Sequence, residues 1–410
     1  MSDPAVSDYA VSPALWRRSM PGGARSCALP IPDVSGGRWY TLESGELRFD
    51  LARCRMRRFD DAEGVRAARK CLAGRSVVMI GQSWTRYAYM SLVHLIDKGE
   101  FPRAQPHESV CWEKSWSLPA NASWPEWLRG TGLNESETDR YTRMWLNFFH
   151  RTSELFSSSG GVEVCDCSRL GFHSRHQENR YYERPADALR ISYLQSEGRN
   201  RVLGHALPSK GMSMSEMQRQ LAWCPAGVCL VSSSSASARR HGQAEAWSKD
   251  LLGLMRDVVA PLRPDVLLWS SDFGDWPSCV ADDGVFSRVL EAGRAALAPG
   301  GKAFTKSRTP SRHGYKPYPP PSTLCFGGIC GGLRGVPPQY EGRCFREQAL
   351  KSAGWATLDH FELLRALFEY NLTDAYRGFV DPAHHACWVN NELINVWLNM
   401  ICNGENGFAR

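Results

Sequence analysis

One short stretch constrains this chain more than any other. Ser76–Gly81 (Ser-Val-Val-Met-Ile-Gly) is an unbroken apolar run, and Trp84, Ala88, Leu92, Leu95 and Ile96 follow it at helical spacing. A strand that is apolar at both parities needs cover on both faces, which is the situation of a central strand in a parallel sheet. The helical stripe that follows requires a sharp turn between Gly81 and Trp84. Four further short runs, over 190–195, 265–269, 302–305 and 355–359, are bounded by turn residues and read as strands. Helical stripes fill the gaps: Trp247, Leu251, Leu254 and Val258; Phe286, Leu290, Gly293 and Leu297; Val389, Leu393, Trp397 and Met400. This alternation predicts an α/β fold, a three-layer α/β/α sandwich on a mostly parallel five-stranded sheet.

Residues 1–38 are rich in Pro, Gly and Ser without periodicity and read as an N-terminal tail or strap, so the folded domain is expected over 39–410. Two segments break the alternation, about 101–160 and 307–343, and are expected as insertions bordering a site. With 43% hydrophobic residues in 410, the chain can build one large core. Its net charge of +6 is dispersed, which argues against nucleic acid as a partner; it suits an acidic glycan or a plain soluble surface equally. Fourteen cysteines and sequons at Asn121, Asn134 and Asn371 point to the secretory-pathway lumen, such as the Golgi, or the extracellular space. Residues 1–22 lack an apolar signal core, and no apolar stretch reaches the ~20 residues of a membrane span. The alternative is a cytoplasmic protein with many free thiols.

Ligands of an open parallel sheet bind beyond the carboxyl ends of its strands. Ser83 is expected at such an end, opening a helix whose first amides and dipole can stabilise an oxyanion. A serine hydroxyl needs a base to become a nucleophile, and the base needs a carboxylate to hold its tautomer. Asp381-Pro382-Ala383-His384 supplies both on one turn, with His385 as the competing base. The bland alternative is that Ser83 and Asp381 simply cap helices. Other serine patterns are excluded, because Thr85 stands where Gly-x-Ser-x-Gly needs glycine and Arg86 where Ser-x-x-Lys needs lysine.

Several blocks resemble the SGNH (GDSL-like) superfamily, in its PC-esterase branch of trichome-birefringence-like polysaccharide O-acetyltransferases and the sialic acid O-acetyltransferase lumenal domain. They are the cysteine-containing runs beginning at Cys54 and Cys71, Gly81-Gln82-Ser83-Trp84-Thr85-Arg86 with Ser91-Leu92, Asp381-x-x-His384, and the helix ending Trp397-Leu398-Asn399. The resemblance implies a flavodoxin-like domain and an acyl-enzyme on Ser83 that passes a small acyl group to water or a glycan hydroxyl. No metal or other cofactor is implied. It gives Arg86 an oxyanion-side role and places Ser270 where the family carries an oxyanion asparagine; Gly198 is the candidate for a backbone donor. Gln82 replaces the family's aspartate beside the nucleophile. The rival expectation is a catalytically inactive relative with a glycan-binding or structural role.

Cys165-x-Cys167 followed by His173-x-x-His176 admits a zinc site, but the spacing matches no common finger, and disulfides are the preferred reading for these cysteines and for Cys224/Cys229 and Cys325/Cys330. The glycines over 327–332 lack the Gly-Lys-Ser/Thr of a phosphate cradle. Trp112, Trp116, Trp124 and Trp127 suit sugar stacking or, as the favoured reading, packing.

Overall fold

A computed structural model of the protein describes residues 26–28, 31, 34, 37–41, 47–51, 54–103, 140–169, 176–196, 202–222, 247–270, 284–306, 349–350, 352–360, 363 and 387–402. A hairpin-like pair, β1 (Gly37–Thr41) and β2 (Leu47–Leu51), precedes the main sheet. Asp61 then caps α1 (Ala62–Leu72), accepting from the Gly64 N–H at 2.6 Å, while Arg69 and Lys70 in its last turn complement the helix dipole. The chain continues through β3 (Ser76–Gly81), α2 (Ser83–Lys98), α3 (Arg140–Phe156), β4 (Val162–Arg169), β5 (His176–Arg184), β6 (Leu189–Gln195), β7 (Val202–Gly204), α4 (Met214–Gln220) and β8 (Trp247–Lys249). A helical run of three turns, Leu251–Leu254, Met255–Val259 and Ala260–Leu262, leads to β9 (Val266–Ser270), α5 (Val285–Ala295), β10 (Lys302–Lys306), β11 (Trp355–Leu358) and α6 (Cys387–Ile401).

The central sheet has seven strands in the order β11-β10-β9-β3-β6-β5-β4, not the five expected from the sequence. Five of them, β3, β6, β9, β10 and β11, are mutually parallel and fall where the sequence placed strands. The correction is at one edge, where β4 and β5 add an antiparallel pair beside β6. These two strands were hidden because their inward positions carry charge, as Glu163, Glu178 and Arg180 do, so no apolar alternation marks them. Trp247 also departs from expectation: it belongs to β8, paired with β7, and the helix begins only at Leu251.

Alternate residues of β3 feed two separate cores. Val77 and Met79 join a cluster with α1, α2, α3 and α6, whereas Val78 and Ile80 join one with the 251–262 run and α5. Helices thus cover both faces, which is why β3 is apolar from Val77 to Ile80. Helix α2 is buried on nearly all sides, from Trp84 to Ile96, as expected of a helix enclosed between a sheet and other helices. It stops at Gly99, whose φ of 80° lets its N–H reach back to Leu95 O.

The N-terminal arm is fastened to α6 by polar contacts. Glu392 accepts from Arg58 Nη1 at 2.9 Å and from the Phe49 N–H at 3.2 Å; Asn395 accepts from the Phe59 N–H, and Asn399 exchanges bonds with the backbone of Arg57. Ile31 N–H donates to Asn399 O, so the chain N-terminal to β1 reaches the same helix. Disulfides Cys27–Cys54, Cys71–Cys402 and Cys165–Cys167 add covalent ties, Cys387 is also disulfide-bonded, and no cysteine among the described residues is free. The two cysteines weighed as zinc ligands, Cys165 and Cys167, are bonded to each other. Among the described residues no helix is long and apolar enough to cross a membrane.

Because Cys71–Cys402 bridges a sequence separation of 331, it constrains the unfolded chain strongly. Cys402→Ala is expected to lower unfolding stability by about 2–5 kcal/mol, read from denaturant curves under non-reducing conditions.

Candidate active site at the strand ends

The carboxyl ends of the parallel strands finish in one row. Gly81 pairs with Gln195, Ser270 with Lys306, and Lys306 with Leu358; Gly81 and Ser270 directly follow the paired Ile80 and Trp269. Next to Gln195, on β5, stands Glu178, itself paired with Cys167. By parity with the α2-side core, these side chains lie on the sheet face that α2 covers. A mostly buried polar row, Glu178, Gln195, Ser270 and Lys306, therefore runs beneath the start of α2.

The turn into α2 is built around Gly81. A β-carbon there would collide with Thr85 Oγ1 and sit 3.0 Å from the Ser270 β-carbon, so helix and neighbouring strand approach each other through the space left by the missing side chain. The turn carbonyls are satisfied from β6 and the residue after it: Tyr193 Oη donates to Gly81 O and Gln82 O, both at 3.1 Å, and the Ser196 N–H donates to Gly81 O at 2.9 Å. Gln82 is the residue that precedes the helix, with no side-chain cap. Ser83 thus takes the first helical position, not the capping one, and is half-buried while Trp84 to Met90 are buried.

Ser270 ends β9, the strand next to β3. Its hydroxyl is buried without a hydrogen-bond partner, as are Thr85 Oγ1 and Gln195 Oε1. Unsatisfied buried polar atoms are costly, and three of them lie around this one strand-to-helix turn. Arg86 is turned toward the sheet edge. Its Nη1 donates to Glu178 Oε2 at 3.0 Å, and its guanidinium carbon lies 4.8 Å from the centre of the Trp145 ring on α3. Of the other residues expected at the site, Asp381, His384, the competing His385 and Gly198 lie outside the described residues.

Arg86 belongs to a buried ion chain the sequence did not disclose. Arg180 donates to Glu178 Oε1 and Glu163 Oε1, each at 2.7 Å; Glu163 also accepts from Tyr89 Oη at 2.6 Å and Ser153 Oγ at 3.0 Å. Burial pushes the Glu178 carboxyl upward, but the guanidinium groups of Arg86 and Arg180 outweigh it and hold the group below the ordinary glutamate range. Glu163 goes the other way, because burial prevails over Arg180 and its hydroxyl donors. Lys306 and His360, a second polar pair at the strand ends, also escaped the sequence reading. Lysine at the end of one strand and histidine two residues beyond the next give no motif by spacing, and only the parallel register brings them together.

A depressed carboxyl contributes stability that is fully present above its unfolded value and is lost as pH falls through the folded one. Glu178→Gln leaves two buried guanidinium groups under-compensated and should cost about 3–5 kcal/mol near neutrality. The gap between wild type and variant should narrow once pH drops below the ordinary glutamate value of about 4.3, as measured by urea unfolding at a series of pH values. Glu163 opposes this trend in the wild type, since its raised carboxyl loses stability as pH climbs from the unfolded toward the folded value.

No family model matches this chain, and no curated protein is similar enough to match it, so the reading of the site stands on its own residues.

Proposed function

We propose that this chain is a serine-dependent O-acyltransferase or O-acyl esterase acting on a glycan, with Ser83 as nucleophile, His384 as base and Asp381 orienting it. The observation that carries the reading is the position of Ser83: half-buried, at the first position of a 16-residue helix, immediately beyond the carboxyl end of the central parallel strand. The five parallel strands, numbered along the chain, lie in the order 2-1-3-4-5, and Ser83 follows strand 1 beside strand 3, the point at which that order reverses. This supports a flavodoxin-like three-layer α/β/α domain of the SGNH type over 39–410, with 1–38 as tail or strap.

In the proposed reaction, Ser83 Oγ bonds to the carbonyl carbon of a small acyl donor as its proton passes to His384. The tetrahedral adduct collapses, the donor's ester C–O bond breaks, and the departing oxygen takes that proton. A glycan hydroxyl, or water, then attacks the acyl-enzyme and regenerates Ser83. Backbone N–H groups opening α2, with Ser270, Arg86 and Gly198, are the candidate donors to the oxyanion. No metal or other cofactor enters the scheme. The disulfides favour an oxidising compartment, the secretory lumen or the extracellular space.

A second reading, an inactive glycan-binding or structural relative, is favoured by one observation: the ion pair with Glu178 and the stacking on Trp145 give Arg86 a structural role sufficient in itself. The two readings separate on one experiment. Ser83→Ala is expected to abolish labelling by a fluorophosphonate probe while changing stability by no more than about 1 kcal/mol. With an activated acetyl ester as donor, oligosaccharides should accelerate turnover and emerge acetylated by mass spectrometry. Acetate release at one rate regardless of sugar would make the protein an esterase, and labelling that survives the substitution would remove Ser83 from the chemistry.

A further inference from the structure

Helix α2 carries Ser83 at its first position, and two of its buried residues one turn apart, Arg86 and Tyr89, are held by the same chain of buried groups. Arg86 Nη1 donates to Glu178 Oε2 at 3.0 Å, and Tyr89 Oη donates to Glu163 Oε2 at 2.6 Å. Between the two carboxyl groups lies Arg180, whose Nε donates to Glu178 Oε1 and whose Nη1 donates to Glu163 Oε1, each at 2.7 Å. The chain therefore leaves α2, crosses β5 and β4 and returns to α2, closing a ring between helix and sheet. Helix α3 steadies its far side, because Thr152 Oγ1 accepts from Arg180 Nη1 at 2.8 Å and Ser153 Oγ donates to Glu163 Oε1 at 3.0 Å.

A second route runs from Tyr89 to the turn that presents Ser83. The Tyr89 ring lies 5.9 Å, centre to centre, from that of Tyr193 on β6, and Tyr193 Oη donates to the carbonyls of Gly81 and Gln82, both at 3.1 Å. One assembly thus fixes the two residues before Ser83 and two residues in the next turns of its helix. Apolar burial alone gives no such definition, since it is non-directional and an enclosed helix buries nearly the same area after a small slide. Hydrogen bonds weaken steeply with distance and angle. A slide of one residue, about 1.5 Å along the axis, would break the bonds of Arg86 and Tyr89 together and leave buried charge uncompensated.

We infer that Glu178, Arg180 and Glu163 are positioning residues for Ser83, setting the height and rotation of α2 over the strand ends, an inference that rests on the acyl-transfer reading. They act through the helix. Attack by Ser83 Oγ requires the hydroxyl to meet both the acyl carbon and the base, and an error of about 1 Å in such a placement can cost on the order of 100-fold in rate. The pair of Arg86 with Glu178, structural in itself, then serves the chemistry by holding the helix that carries the serine.

Tyr89→Phe is the decisive variant, because it removes one hydroxyl from the ring and leaves Arg86 and Glu178 in place, so no candidate oxyanion donor is lost with it. It is expected to slow fluorophosphonate labelling and lower kcat for an activated acetyl ester by about threefold to tenfold, with KM within about twofold of wild type. Hydrogen–deuterium exchange of residues 84–90 should quicken in the same variant. Glu178→Gln, where it folds, should slow labelling by about tenfold or more, and the double variant should lose less than the product of the two single losses, since both act through one helix. Val289→Ala, a truncation in the core on the opposite face, should lower stability and leave the labelling rate at the wild-type value. Wild-type labelling in Tyr89→Phe, unaltered exchange over 84–90, or equal slowing in Val289→Ala would overturn the positioning role and leave the chemistry of Ser83 standing. Absence of labelling in the wild-type protein would overturn the acyl-transfer reading and the positioning role with it.

Discussion

The missing side chain at Gly81 is the constraint around which the site is arranged. A helix enclosed on nearly every side has to meet the sheet closely where it begins, and at this point it meets two strands at once. Any β-carbon would separate Thr85 from Ser270 and tilt α2 off the sheet. With glycine in place, the turn settles over the strand ends, the carbonyls of Gly81 and Gln82 taken up by Tyr193 and Ser196, and Gln82 and Ser83 are left as its partly open positions. The placement of Ser83 is therefore a property of the backbone and of its neighbours' packing more than of the serine itself.

Beneath that turn the sheet is polar where a core would ordinarily be apolar. On the antiparallel side the charges are matched pairwise along Arg86, Glu178, Arg180 and Glu163. Buried charge matched this closely adds little net stability compared with well-packed apolar residues, but it penalises every arrangement in which one member is displaced. Towards β9 the row includes a buried hydroxyl, that of Ser270, left without a hydrogen-bond partner.

The sequence discloses this architecture unevenly, for physical reasons. The five parallel strands were legible because cover on both faces makes their middle positions mostly apolar, most clearly in 77–80 and 266–269. β4 and β5 were not, since an edge strand whose inward side chains are Glu163, Glu178 and Arg180 reads as polar loop until the partners of those charges are known. Helix α3 lay in a segment expected to be an insertion; Leu146, Phe148 and Phe149 pack it into the α2-side core. Ser83 was legible from the strand-to-helix transition alone. Arg86 was noticed through the family resemblance, but its ion pair with Glu178 depends on register between strands and cannot be read along the chain. Lys306 and His360 were missed for the same reason, while Asp381, His384 and Gly198 fall outside the described residues and stay with the proposal.

Helix α6 has a consequence for the order of assembly. It packs against α2, closes the α2-side core with Val389, Leu393, Val396 and Trp397, and accepts the polar groups of the N-terminal arm through Glu392, Asn395 and Asn399. The arm and α2 leave the ribosome some 290 to 340 residues before the helix that covers them. During synthesis the opposite face, whose 251–262 run and α5 flank β9 along the chain, can close before α6 is made, while the face beneath Ser83 waits with apolar surface uncovered. The half of the molecule that holds the proposed chemistry is thus the last to mature, and the Cys71–Cys402 bridge can form only when that maturation is complete.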